Sequence, residues 1–141
     1  MKEERARLGR LRRLERIRDI AKQTAAAESA AAESTLSQLR ALSDRTRQLA
    51  SDYGQRRQIA NGEGLHQVSR FVGGLNALTR STEGDAVRAK TIADAKMQLL
   101  AEAERRRAAI GERADNQAKV IAKGSQTPIL GSRKAIGTDL D

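Results

Sequence analysis

Few side chains in this 141-residue sequence are able to do covalent or metal chemistry. It has no cysteine and a single histidine, so it offers neither a thiolate nucleophile nor a His-based metal cluster. His66 follows Leu65 just after a glycine-bearing stretch and has no second ligand type in support, which makes it a surface residue beside a turn. Gly124-Ser125 follows a lysine, but the spacing of a nucleotide-binding loop is absent. The carboxylates have basic neighbours at helical spacing, as Glu15 and Asp19 do beside Arg12, Arg16 and Arg18. Such pairs support a solvated helix by a few tenths of a kcal/mol and do no acid–base work. The expectation is a protein that binds and does not catalyse, with no cofactor and no metal.

What remains is charge. The net charge is +9 and the isoelectric point about 10.8, which suit an acidic partner: nucleic acid, anionic lipid or an acidic protein surface. Residues 1–22 hold nine Lys or Arg, among them Arg10, Arg12, Arg13, Arg16 and Arg18, against four acids. Two readings of this basic stretch stay open, a charged face that keeps a thin helix soluble and an electrostatic contact. Nucleic acid is an alternative partner, although basic residues here alternate with acids and the aromatic platforms that stack bases are missing. Membrane binding would want Trp or Phe on the apolar side of Leu8–Ile17, where there is none. Arginines separate Leu8, Leu11, Leu14 and Ile17, so no signal-peptide core is expected, and no run approaches the roughly 18 apolar residues of a span. The expected location is the cytoplasm, at most peripheral to the inner face of the membrane.

The elements that position these side chains are helices. One Phe, one Tyr and no Trp leave little for a thick core, and the Ala, Leu, Glu, Lys and Arg bias points to long helices or coiled coil. Asn61-Gly62-Glu63-Gly64 interrupts the pattern near the midpoint, which predicts an all-α antiparallel coiled-coil hairpin over 1–123 with its turn at 61–64. The first arm carries a four-then-three stripe through Leu14, Arg18, Ala21, Ala25, Glu28, Ala32, Thr35, Leu39, Leu42, Thr46, Leu49 and Tyr53. The second runs through Leu65, Val68, Val72, Leu75, Thr79, Thr82, Ala86, Ala89, Ala93, Lys96, Leu100, Ala103, Arg107, Ile110, Ala114, Gln117 and Ile121. Phe71, Leu78, Ile92, Leu99 and Val120 form a neighbouring row.

Folding back at the midpoint makes partner numbers sum to about 124, which sets Leu49 opposite Leu75, Leu42 opposite Thr82, Leu14 opposite Ile110 and Tyr53 opposite Phe71. It also brings Arg105, Arg106, Arg107 and Arg113 beside the basic N-terminal stretch. Gly73, Gly74 and Gly84 soften the second arm, and Thr82 with Asp85 three residues on is a potential new helix start, so the sequence leaves open whether the arm is continuous or breaks near 73–74 or 81–84. From Gly124 the pattern ends, and 124–141, with Pro128, reads as a flexible tail that is idle or carries a short docking motif at Ile129-Leu130 and Ile136. Tyr53, Phe71, Leu75 and Leu78 gather the bulkiest groups near the turn, either as a protein contact or as a staple of the hairpin.

The start Arg10-Leu11-Arg12-Arg13-Leu14-Glu15-Arg16, the length, the central turn and the rows Leu42, Thr46, Leu49, Tyr53 and Phe71, Leu75, Leu78, Thr82 resemble the FliJ family, the coiled-coil stalk proteins of flagellar and type III secretion export. The likeness covers about residues 8–123. It implies a coiled coil similar to the central stalk of rotary ATPases. One end, with Arg10, Arg12, Arg13, Arg16, Arg18, Arg105, Arg106 and Arg107, would face the export ATPase ring. A tip patch of Leu42, Leu49, Tyr53, Phe71, Leu75 and Leu78 would contact the membrane export gate protein FlhA, and export chaperones would be escorted as a further role.

Overall fold

The structure, a computed structural model, describes the backbone of residues 1–56 and 62–139 and, within these, the side chains up to residue 125. It consists of two long helices packed against each other as an antiparallel hairpin, α1 (Lys2–Gln55) and α2 (Gly62–Asp139). Ala, Leu, Arg, Lys, Glu and Gln dominate both, and these residues lose little on entering a helix. Glu3 and Glu4 stand in the first turn of α1 and Glu63 in that of α2, where a negative charge complements the helix dipole.

The path of the chain differs from the sequence reading at the turn. Gly62, Glu63 and Gly64 belong to the first turns of α2 and not to the turn, while Asn61 lies outside the described residues. α2 passes Gly73, Gly74 and Gly84 without a break, and no glycine among the described residues takes a positive φ. Thr82 does not cap a new helix: its Oγ1 donates to the Leu78 carbonyl at 2.8 Å, a bond made inside a continuous helix. Packing along α1 offsets the roughly 1 kcal/mol that each glycine costs. Helix continues from Gly124 to Asp139, the segment read from sequence as a tail. Gly124 adopts no left-handed cap that would stop it. The side chains of 126–139, including Ile129, Leu130 and Ile136, and all of Leu140 and Asp141 lie outside the described residues.

The chain divides into two compact units, each containing a stretch of both helices. Unit 1 is Met1–Ala25 with Leu99–Asp141, and unit 2 is Ala26–Gln98. In unit 2, Leu36 is buried with Ala89 and Ala93, edged by Ala32, Leu39 and Ala86, and Ala50 is buried with Val72 and Leu75, edged by Tyr53 and Val68. Thr46 and Thr79 join their hydroxyls across the helix pair at 2.8 Å, and Ser29, Ser43 and Thr82 are buried as well. In unit 1 the buried positions are Ile110, Gly111 and Ala114, with Leu8, Leu11 and Leu14 half-buried on α1. No large side chain among the described residues is fully buried, so each core is thin.

The antiparallel register agrees with expectation. Tyr53 with Phe71 and Glu28 with Lys96 keep the sum of 124, and Thr46 with Thr79 departs from it by one. The α2 stripe also agrees from Val68 onward. The α1 stripe is half right. Arg18, Ala25, Ala32, Leu39, Thr46 and Tyr53 face α2, but the alternate column is Lys22, Ser29, Leu36, Ser43 and Ala50 in place of Ala21, Glu28, Thr35, Leu42 and Leu49. The seam thus takes the smaller residue at 43 and 50 and the larger one at 36, where Leu36 packs with Ala89 and Ala93. Leu42 and Leu49, displaced from it, are 43% and 39% exposed. Leu75 meets Ala50 instead of Leu49.

Candidate functional site

Unit 1 carries most of the charge. It holds 17 basic and 10 acidic residues, net +7, against 10 and 8, net +2, in unit 2. The eight arginines singled out from sequence all lie in unit 1 but divide into two groups. Arg10, Arg13, Arg16, Arg105 and Arg106 are exposed. Of these only Arg106 has an ion pair with the described residues, to Glu102 at 3.3 Å one turn away.

Arg12, Arg18 and Arg107 are half-buried against the helix pair. Arg12 reaches Glu15 at 3.3 Å on its own helix and Asp115 at 3.1 Å on α2. Arg107 lies on the seam of α2 and reaches back to Asp19 at 3.4 Å and to Glu15 at 3.9 Å on α1. These five charges form a cross-helix network that orients α1 on α2, which sequence reasoning read as local pairs only. The signal was present: Arg107 occupies a seam position of its stripe, where a long cation must find an acid or leave the interface. Arg18 keeps its Nε buried without a hydrogen-bond partner.

Unit 2 carries the apolar candidates. Tyr53 is half-buried and meets Phe71 edge to face, ring centroids 4.9 Å apart and planes at 71°, with the Arg56 guanidinium 5.0 Å above the tyrosine ring. Leu75 is buried in the core and offers no surface to a partner. Leu42, Leu49, Phe71 and Leu78 are exposed, each one residue before a seam position: Ser43, Ala50, Val72 and Thr79. In an antiparallel helix pair the residues that precede such positions on both helices share one flank of the seam. The opposite flank, made of the residues that follow the other seam column, carries the ion pair between Arg47 and Glu83. Near Leu42, Leu49, Phe71 and Leu78 the first flank is therefore apolar, and further along the same columns it carries Thr35, Asp85 and Glu28. Ile92 extends the apolar side, and its spacing in the row Phe71, Leu78, Ile92 already announced it.

Among the described residues no cluster of His, Asp or Glu is placed to hold a metal, and no helix is long and apolar enough to cross a membrane. His66 is exposed in the first turns of α2. Compared with known proteins, the chain matches no family model, no curated protein and no solved structure.

Proposed function

We propose that this protein is a non-enzymatic, stalk-like component of a flagellar-type protein export apparatus, acting in the cytoplasm or at the inner face of the membrane. In this reading the exposed arginines of unit 1 dock on an acidic surface of the export ATPase ring, and the apolar flank of unit 2 contacts the export gate protein FlhA or an escorted chaperone. The reading is supported by the antiparallel helix pair and by the FliJ-like order of basic and bulky residues. The observation that carries it is the set Arg10, Arg13 and Arg16, exposed and without an acidic partner among the described residues. Cations already neutralised by neighbours add little to a complex, whereas unpaired ones steer encounter with an acidic face.

Binding of the purified protein to the export ATPase, and stimulation of its ATP hydrolysis, test the proposal. Arg10→Glu, Arg13→Glu and Arg16→Glu combined should abolish both while leaving helicity intact. Unchanged binding and stimulation by the reversed variant would defeat it. The net +7 of unit 1 also favours a second reading, a coiled coil that binds nucleic-acid phosphates. That reading requires affinity that falls steeply as salt rises, and the absence of binding to duplex and single strand in low salt would remove it.

A further inference from the structure

The two flanks of unit 2 differ in a way that neither solubility nor hairpin formation requires. Leu42, Leu49, Phe71, Leu78 and Ile92 lie on one flank and are 39% to 55% exposed. All five keep a seven-residue repeat with the seam, with Thr35 and Asp85 in the same columns between Leu42 and Ile92, so the surface they make is straight, parallel to the helices and suited to another helix pair. Helices with apolar residues at two seam columns and one flanking column are those of bundles, whereas two-helix coils carry the seam columns alone. The hairpin also lacks what a further layer would supply, since no large side chain among the described residues is fully buried.

The surroundings of this flank indicate what covers it. Three residues beyond Leu42, Leu49 and Asp85 stand Arg45, Asp52 and Arg88 on the same side, Arg88 pairs with Asp85 itself, and Glu28 and Arg56 continue the column of Leu42 and Leu49 at its two ends. Three cations and three anions thus border the apolar row, in a protein of net charge +9. A strongly acidic partner finds no complement there. A second copy of the same chain meets no net repulsion there, unlike at unit 1 with its net +7. Gly74 lies beside the row, and a Cβ added to it would meet nothing within 4 Å, so the backbone is open to close approach by another helix.

We propose that this flank is a self-association face on which two hairpins pair about a twofold axis, each burying the same row, into a four-helix bundle over unit 2. The pairing is apolar, so added salt leaves it unchanged or strengthens it by screening the like net charges. The same flank is then occupied in the dimer and free in the monomer, and a partner that needs it competes with the second copy.

Sedimentation equilibrium of the full chain over a wide concentration range tests this. The expected result is a monomer–dimer equilibrium that does not weaken between low and high potassium chloride. Leu42→Gln with Leu78→Gln should raise the dimer Kd about tenfold to a hundredfold, because four partly exposed leucines leave the interface. Asn76→Gln with Lys90→Gln, on the opposite flank, should leave the Kd in place. Circular dichroism checks that helicity is kept, and Ile92→Gln, at the most exposed of the five positions, gives a second probe in which any loss of fold is least expected. A monomer at every concentration, a dimer that dissociates on adding salt, or a dimer equally tight in the Leu42/Leu78 and Ile92 variants would each overturn the proposal.

Discussion

Replacing glycines in α2 by alanine tests both the continuity of that helix and the ion network of unit 1. Gly73 is exposed, and a Cβ built on it meets nothing within 4 Å; at Gly84 the nearest atom is the Arg88 Nη1 at 3.8 Å, an ordinary contact. Neither has a positive φ. Each substitution should therefore return the full helix-propensity difference, about 1 kcal/mol, and together about 2 kcal/mol.

Gly111 is buried, and there an added Cβ lies 2.7 Å from the Arg107 Nη1 and 3.2 Å from the Glu15 Oε2. Both atoms are ends of flexible side chains, so they yield, but in yielding they loosen the contact between Glu15 and Arg107. With the Arg107 side chain about a third exposed, that contact stabilises by less than about 1 kcal/mol. Gly111→Ala should then be worth no more than about half of Gly73→Ala. Urea unfolding followed by far-ultraviolet circular dichroism, at one fixed protein concentration because association shifts apparent stability, reads all three. Destabilisation by Gly73→Ala would mean that α2 is not continuous through 73–74. A gain from Gly111→Ala as large as that from Gly73→Ala would mean that Glu15 and Arg107 do not meet across the helices.

Other expectations follow from named contacts. Thr46 and Thr79 have two hydroxyl protons for three short contacts, to each other and to the carbonyls of Ser43 and Leu75. Each single valine substitution should thus lie within about 0.5 kcal/mol of the parent, and the double variant should be more stable by about 0.5–1 kcal/mol in the same urea assay. A double variant weaker than both singles would count against the hydroxyl pair. Tyr53→Leu removes the edge-to-face contact with Phe71 and should cost about 0.5–1.5 kcal/mol, with Phe71→Leu giving no comparable further loss in the double variant. Arg107→Leu breaks the links to Glu15 and Asp19 at a site about a third exposed, and a loss above about 2 kcal/mol in urea would show those pairs to be stronger than their exposure allows.

The helices, their antiparallel pairing and nearly the whole seam of α2 are legible in the sequence, because alanine-rich charged segments have one good local conformation and a repeat of 3.5 residues keeps one face inward. Only the glycine-bearing stretch 61–64 misled it, and whether Gly73 and Gly84 break the helix was not legible, since propensity is a local cost of about 1 kcal/mol and the packing of a long helix on its partner exceeds it. The candidate arginines are likewise visible as a basic stretch, but only contact between the helices separates Arg12, Arg18 and Arg107, which are half-buried against the pair, from Arg10, Arg13 and Arg16, which face outward. The other half of the α1 seam shows the same limit most clearly. Leu42 and Leu49 are more apolar than Ser43 and Ala50, and both sets keep step with Leu39, Thr46 and Tyr53, so hydrophobicity along one strand of sequence prefers the leucines. The partner helix decides otherwise: Ala50 packs with Val72 and Leu75, Leu36 of the same column packs with Ala89 and Ala93, and Leu42 and Leu49 are left on the flank. Which of two adjacent columns turns inward depends on the volume that a distant part of the chain brings to it, and no single helix carries that information.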